Sequence, residues 1–184
     1  MPASRILDAA GELFAARGIA AVDMKDIARA AGCSRATLYR YFENRDALHT
    51  AYVHREARAI GARLAESIDA IDDPRERLLE AMTQALRLVR ENPSLAAWFA
   101  RTPIGAVAAG QSQVVQAMAA DFLVSLGPGD RGTADRRARW MIRVMTSLLT
   151  VPGRDPEDER AMLAEFVIPL VGPISLRTLR SAPG

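Results

Sequence analysis

The residues with the clearest chemistry lie between positions 25 and 45. Lys25, Arg29, Arg35, Arg40 and Arg45 stand there against Asp26 and Glu43, so five positive charges minus two negative leave +3. The whole chain of 184 residues carries only +2, from 24 basic and 22 acidic side chains, and residues 61–184 hold 15 of each sign. The excess is therefore concentrated in one short stretch. Grouped cations of this kind suit a polyanion, because neutralising phosphates releases their condensed counterions.

Such a surface needs a rigid support, and the neighbouring residues describe one. Ile27-Ala28-Arg29-Ala30-Ala31-Gly32-Cys33-Ser34-Arg35-Ala36-Thr37-Leu38-Tyr39 reads as a helix-turn-helix. Ala28 is small where the first helix must approach the second. Gly32 accepts a positive φ in the turn. Ser34 is placed to cap the second helix, and Leu38 and Phe42, four apart, anchor its inner face. Arg35, Thr37, Tyr39 and Arg40 remain outward, toward a negatively charged groove. Ahead of this, Ile6, Ala10, Leu13 and Phe14 share one helical face that Gly18 ends. Asp23 is a candidate cap, with Asp26 three residues on as in a capping box. Asn44 caps a fourth helix beginning with Asp46, Ala47 and Leu48.

Ala28-x-x-Ala31-Gly32-x-Ser34-x-x-Thr37-Leu38-Tyr39-x-x-Phe42, followed by Asn44-Arg45-Asp46-x-Leu48 and preceded by Leu13-Phe14-x-x-x-Gly18, resembles the N-terminal domain of TetR-type transcriptional regulators. The resemblance covers roughly residues 4–50; the rest matches only in length and helical character. It implies that Lys25, Thr37, Tyr39 and Arg45 hold phosphates, and that Arg35, Ala36 and Arg40 lie in or near the major groove, with Ser34 heading that helix. Arg35 is either a base reader, gripping guanine O6 and N7, or one more phosphate contact. Three departures stand out. Asp23 occupies a position where the family often has Thr; an ionised Asp caps a helix but donates nothing to phosphate. Ala36 replaces a frequent Gly and adds a methyl able to touch thymine. Arg45 replaces a frequent Lys and keeps the charge. Tyr41 is expected to pack on the hinge side.

Other chemistry is poorly supported. No Gly-x-Ser-x-Gly elbow, Walker motif or Ser-x-x-Lys occurs, so no active site is expected. His49 and His54 are five apart and do not share a helix face as a metal pair would. Gly127-Pro128-Gly129-Asp130-Arg131-Gly132 has the letters of a dinucleotide fingerprint, but a helical stripe precedes it where a strand is required. Cys33, the single cysteine, excludes a disulfide framework; it is a packed thiol or a redox sensor. Neither metal nor cofactor is expected.

Composition sets the frame: 49% apolar, 25% charged and 5% aromatic residues suit a soluble globular chain. No uncharged apolar run reaches the length of a membrane span, and Asp8, Glu12 and Arg17 interrupt any secretory core. A cytoplasmic protein is the simplest expectation. Beyond residue 50 the helical period persists. Asp73-Pro74 opens one helix, Asn92-Pro93 and Thr102-Pro103 mark breaks, and Asp155-Pro156 opens the last, which Pro169 should kink or end. The tail Ser181-Ala182-Pro183-Gly184 should fray.

The expected fold is all-α: a three-helix DNA-binding domain over residues 1–48, then a larger helical ligand-binding and dimerisation domain over 49–180. Trp98, Phe99, Met118, Phe122, Trp140, Met141 and Met145 form an adaptable apolar set that either lines a ligand cavity or is plain core. Arg101 and Gln116 are candidates to orient a polar group there. The helix from about Thr133 and the last helix carry apolar stripes wider than one contact needs. They are either central core helices or a subunit interface through Val144, Leu148, Met162, Phe166 and Leu170. The expected partners are double-stranded DNA, a second copy of the chain and a small-molecule effector. The leading expectation is a ligand-responsive repressor on a palindromic operator. Its alternatives are a DNA-binding regulator without an inducer and an all-α enzyme whose helix-turn-helix serves only packing.

Overall fold

The computed structural model describes residues 2–100 and 110–171. The described residues form helices and turns without a strand. In chain order they are α1 (Pro2–Arg17), a single 3-10 turn (Ile19–Ala21), α2 (Met24–Ala30), α3 (Arg35–Tyr41), α4 (Arg45–Ile68), α5 (Pro74–Glu91), α6 (Pro93–Ala100), α7 (Gln113–Ser125) and α8 (Arg131–Thr150). The last helix begins as α9 (Pro156–Met162), widens through a π turn at Leu163–Val167 and ends as α10 (Ile168–Val171). Arg101, the Thr102-Pro103 break and the tail from Ser181 lie outside the described residues.

Side-chain caps start the helices where the sequence placed them. Asp23, Ser34 and Asn44 accept from the amides of Asp26, Thr37 and Ala47 at 2.8, 3.0 and 2.8 Å. Asp73 and Asp155 do the same ahead of Pro74 and Pro156. Each cap satisfies an amide that the helix geometry leaves unpaired. Asp26 departs from the capping-box expectation: its carboxylate pairs with Arg17 at 3.0 Å and Arg29 at 2.7 Å. Pro169 does not end the last helix. The π turn lies immediately ahead of it, and helix resumes through Val171. Proline removes one amide donor and crowds the carbonyl four residues back, and a wider turn relieves both.

Two cores divide the chain. Ile6, Ala10, Phe14, Ile27, Leu38, Phe42 and Leu48 fill the first. Leu78, Met82, Leu86, Ala120, Ala138, Met141 and Leu163 lead the second. The first core runs past residue 48 along α4 to Tyr52, and takes Leu95 and Trp98 from α6. Two features explain this. The 24 residues of α4 form one unbroken helix across the expected boundary. Gly11 also lets α1 lie on Tyr52, since an added Cβ would sit 3.0 Å from the ring. Ser94 secures α6 by donating to the Gly11 carbonyl at 2.8 Å in a buried bond. Asn92 bridges the helices: its amide donates to Glu56 of α4 at 2.9 Å, and its oxygen caps α6.

Candidate nucleic-acid interface

The turn between α2 and α3 sets the direction of α3, which carries Arg35 and Arg40. Gly32 adopts φ +62°, a left-handed conformation that costs other residues energy. Arg5 of α1 donates to the neighbouring Ala31 carbonyl at 3.0 Å and fastens the turn from behind. Leu38 and Phe42 are buried, so α3 is held by one face only. Its opposite face is open: Arg35, Ala36, Tyr39 and Arg40 are all exposed. These are two i, i+4 pairs, Arg35 with Tyr39 and Ala36 with Arg40, and so line adjacent rows of one helix surface.

The remaining expected contacts are placed less uniformly. Ser34 is exposed and Thr37 half-buried; their hydroxyls share a 2.9 Å hydrogen bond. Lys25 is exposed in the first turn of α2. Arg45 is half-buried, and its guanidinium donates to the Ile19 carbonyl. Its Nε is buried without a partner. Part of this side chain therefore ties α4 to the 3-10 turn. The Asp23 carboxyl is held below its usual range, first by the Asp26 amide, so it is an anionic cap that accepts only.

Two residues outside the expected set join this surface. Tyr41, expected to pack at the hinge, is exposed beneath the Arg40 guanidinium, 5.4 Å from its ring centre. Its position four residues after Thr37 was the available signal. Arg29 is exposed beside Asp26, and the Arg17–Asp26–Arg29 chain crosses from α1 to α2.

The seven residues expected to line a cavity are spread, among the described residues, over both cores and the surface. Trp98 belongs to the N-terminal core, stacked on Tyr52 at 6.1 Å and edge-on to Phe14 and His49. Phe99 packs on that same core. Met118 reaches Gly61 of α4, whose missing Cβ makes room for it. Met141 is buried in the second core, with Phe122 and Met145 packed against it. Trp140 is half exposed. A cavity of about 280 Å³ opens between α5 and the last helix, lined by none of the seven. Gln116 donates to the Gly110 carbonyl. The five interface candidates lie on α8 and the last helix. Val144, Leu148 and Met162 are half-buried, while Phe166 and Leu170 are 60% and 63% exposed. Trp140 and Val151 are also exposed and fall on the Val144 face of α8 by helical spacing.

Among the described residues no cluster of His, Cys, Asp and Glu is arranged to hold a metal ion, and no helix is long and apolar enough to cross a membrane. The glycine-rich letters at 127–132 span the turn after α7 and the first two residues of α8, which Asp130 caps.

A capped helix with a basic outward face, seated on a helix-turn-helix in an all-α chain, defines a DNA-binding regulator of the helix-turn-helix class. The family profile described as bacterial regulatory proteins, tetR family, matches residues 6–52. An uncharacterized HTH-type transcriptional regulator of Mycobacterium tuberculosis is 58% identical over 177 residues, covering 95% of this chain and 88% of that one. The transcriptional activator FasR of Mycolicibacterium smegmatis is 28% identical over 145 residues, 73% of this chain and 63% of that one. Among solved structures, the TetR family repressor AlkX of Dietzia, implicated in n-alkane biodegradation, aligns with a TM-score of 0.68 at 25% identity, over 91% of this chain and 96% of that one. RolR in complex with resorcinol shares the fold, with a TM-score of 0.74 at 19% identity over 99% and 94% of the two chains. The chain belongs to the TetR family of bacterial transcriptional regulators.

Proposed function

We propose that the protein is a homodimeric, ligand-responsive repressor that binds a palindromic operator and leaves it when a mainly apolar small molecule occupies the C-terminal domain. It works as a binding protein rather than an enzyme, in the cytoplasm with its DNA. The outward face of α3 carries this reading, because Arg35, Ala36, Tyr39 and Arg40 are open to solvent while Leu38 and Phe42 fix the helix from behind. Arg35 is assigned to a base edge and Arg40 to the groove wall. Lys25, Thr37, Tyr39 and the solvent side of Arg45 are assigned to phosphates, with Ser34 setting the helix start. The pairing surface is the apolar face of α8 and the last helix, through half-buried Val144, Leu148 and Met162 and exposed Phe166 and Leu170. A twofold pair would set two α3 helices about one turn of DNA apart, roughly 34–36 Å.

Effector control follows from that geometry. A ligand favouring a pair with the wrong spacing empties the operator, and about 5.5 kcal/mol of preference reverses a 99:1 equilibrium. The coupling is reciprocal, so bound DNA weakens the ligand by the same factor. Selection of bound duplexes from a random pool tests the proposal. Two inverted half-sites at a fixed separation are expected. Enrichment of a single unrepeated half-site, or of nothing, refutes the dimeric reading. A reporter driven through the selected site should rise when the gene is deleted; a fall assigns activation, as the name of FasR states for that relative.

A further inference from the structure

The cavity between α5 and the last helix has an apolar floor and a charged mouth. Leu86 and Leu163 form the floor and are almost wholly buried, and Pro156 lies at one side. Arg87, Arg90 and Arg160 line it against two carboxylates, Glu91 and Glu159, so three positive minus two negative charges leave +1. The charges are not equally available. Glu159 is 3% exposed and fully engaged: Arg90 donates to both its oxygens at 2.7 Å, and the Gly153 amide donates at 2.8 Å. Arg160 is turned to Glu80 at 3.0 Å and to Glu76. Arg87 is different. It stands half exposed: its Nη1 donates to an equally exposed Glu91 at 2.9 Å, and its Nε and Nη2 both donate to the side-chain oxygen of neutral Gln84 at 2.9 and 2.6 Å. An exposed pair of this kind is weak in water, so an incoming carboxylate can replace Glu91 and meet the Nη1–Nη2 end of the guanidinium, while the Nε side stays on Gln84.

We infer that this cavity binds a small monocarboxylic acid whose apolar body rests on Leu86 and Leu163 and whose carboxylate meets Arg87. Size agrees with the charge argument. An apolar cavity of about 150 Å³ admits benzene, so about 280 Å³ takes one ring with a short side chain or an alkyl chain of moderate length. The site deepens the proposed effector control and rests on it for its consequence. α5 ends at Glu91, next to Asn92, which caps α6. α6 in turn seats Leu95 and Trp98 in the N-terminal core. The opposite wall belongs to the helix that carries Met162, Phe166 and Leu170. An acid between these walls therefore acts on the mounting of the DNA-binding domain and on the pairing face together.

The test is calorimetric titration of the full-length protein with phenylpropanoate and octanoate, each against its primary amide. One site per chain is expected, with the better acid at least about tenfold tighter than its amide. Arg87→Gln, at a surface position, should bring the acid to the level of the amide. Thr83→Phe, which fills the cavity from α5, should abolish both. The acid should also change affinity for the selected operator by about tenfold or more. Equal binding of acid and amide, unchanged acid binding in either variant, or no binding by a preparation that still holds operator DNA overturns the site. Acid binding with unchanged operator affinity overturns the coupling alone. A preparation that binds acid but no DNA refutes the proposed function and leaves the site standing.

Discussion

Lowering the pH should loosen the joint between α4 and α6 through His49. Its ring meets Phe14 at 5.3 Å and Trp98 at 5.4 Å, both edge-on, and its Nε2 is buried without a partner. Burial pushes the imidazole from 6.5 to about 4; the neighbouring Arg45 charge acts in the same sense and Asp46 in the opposite one. Between those two values the unfolded chain binds a proton that the folded chain refuses. The associated stability is therefore complete above pH 6.5 and is lost as pH falls toward 4. The full shift corresponds to roughly 3 kcal/mol, of which about 1–2 kcal/mol is lost between pH 7.5 and 5.5. The ring retains some contact with solvent, which reduces the second figure to about 1 kcal/mol. Urea unfolding of the wild type and His49→Phe at those two pH values reads it directly. The variant keeps an aromatic ring and removes the titration, so the wild type should lose about 1 kcal/mol more than the variant. His54→Gln is the control, because burial and Arg58 lower that imidazole too. Parallel losses in wild type and His49→Phe would refute the assignment.

Four other substitutions test the remaining structure. Arg35→Ala should cost about 1–3 kcal/mol on the selected operator and relax preference at one base pair, whereas Lys25→Ala should weaken all duplexes alike and reduce the salt slope by about 1; equal loss on specific and random DNA would remove Arg35 from base reading. Lys25 is the cleaner phosphate probe, since the Arg45 side chain also holds Ile19. Phe166→Asp, at a position 60% exposed in the single chain, should give a folded monomer by sedimentation, and a dimer of unchanged affinity would rule out this face. Gly32→Ala should destabilise by roughly 1–2 kcal/mol in urea, because φ is +62° and the new Cβ would stand 3.3 Å from the Arg5 guanidinium.

The N-terminal site was legible because its determinants are local. A cap and its amide are three residues apart, a turn glycine reports its own φ, and Leu38 with Phe42 fix one face of a helix whose other face follows by geometry. Tyr41 was misread for want of that same arithmetic, since it repeats the Thr37 row. The apolar surface of α8 was legible for a related reason. One helix cannot bury two stripes against one core, and Trp140 and Val151 are the stripe left over.

Trp98 shows where such reading stops. Composition marks it only as a large apolar side chain, equally suited to a cavity wall or a core. Its place is decided by Gly11 and Ser94, 87 and four residues away along the chain, which bring α6 onto α1. The cavity beside Arg87 escaped for the same reason: its walls are 69 residues apart where Arg90 meets Glu159. Nothing in either helix alone distinguishes that pair from the exposed i, i+4 pair one turn earlier. Burial separates them: Glu159 is enclosed and Arg90 only a third exposed, so breaking that pair costs more than the about 0–1 kcal/mol of an exposed pair, though less than the about 3–5 kcal/mol of a fully buried one. The strong pair therefore fixes where α5 meets the last helix, and the weak one beside it leaves a guanidinium that a ligand can claim.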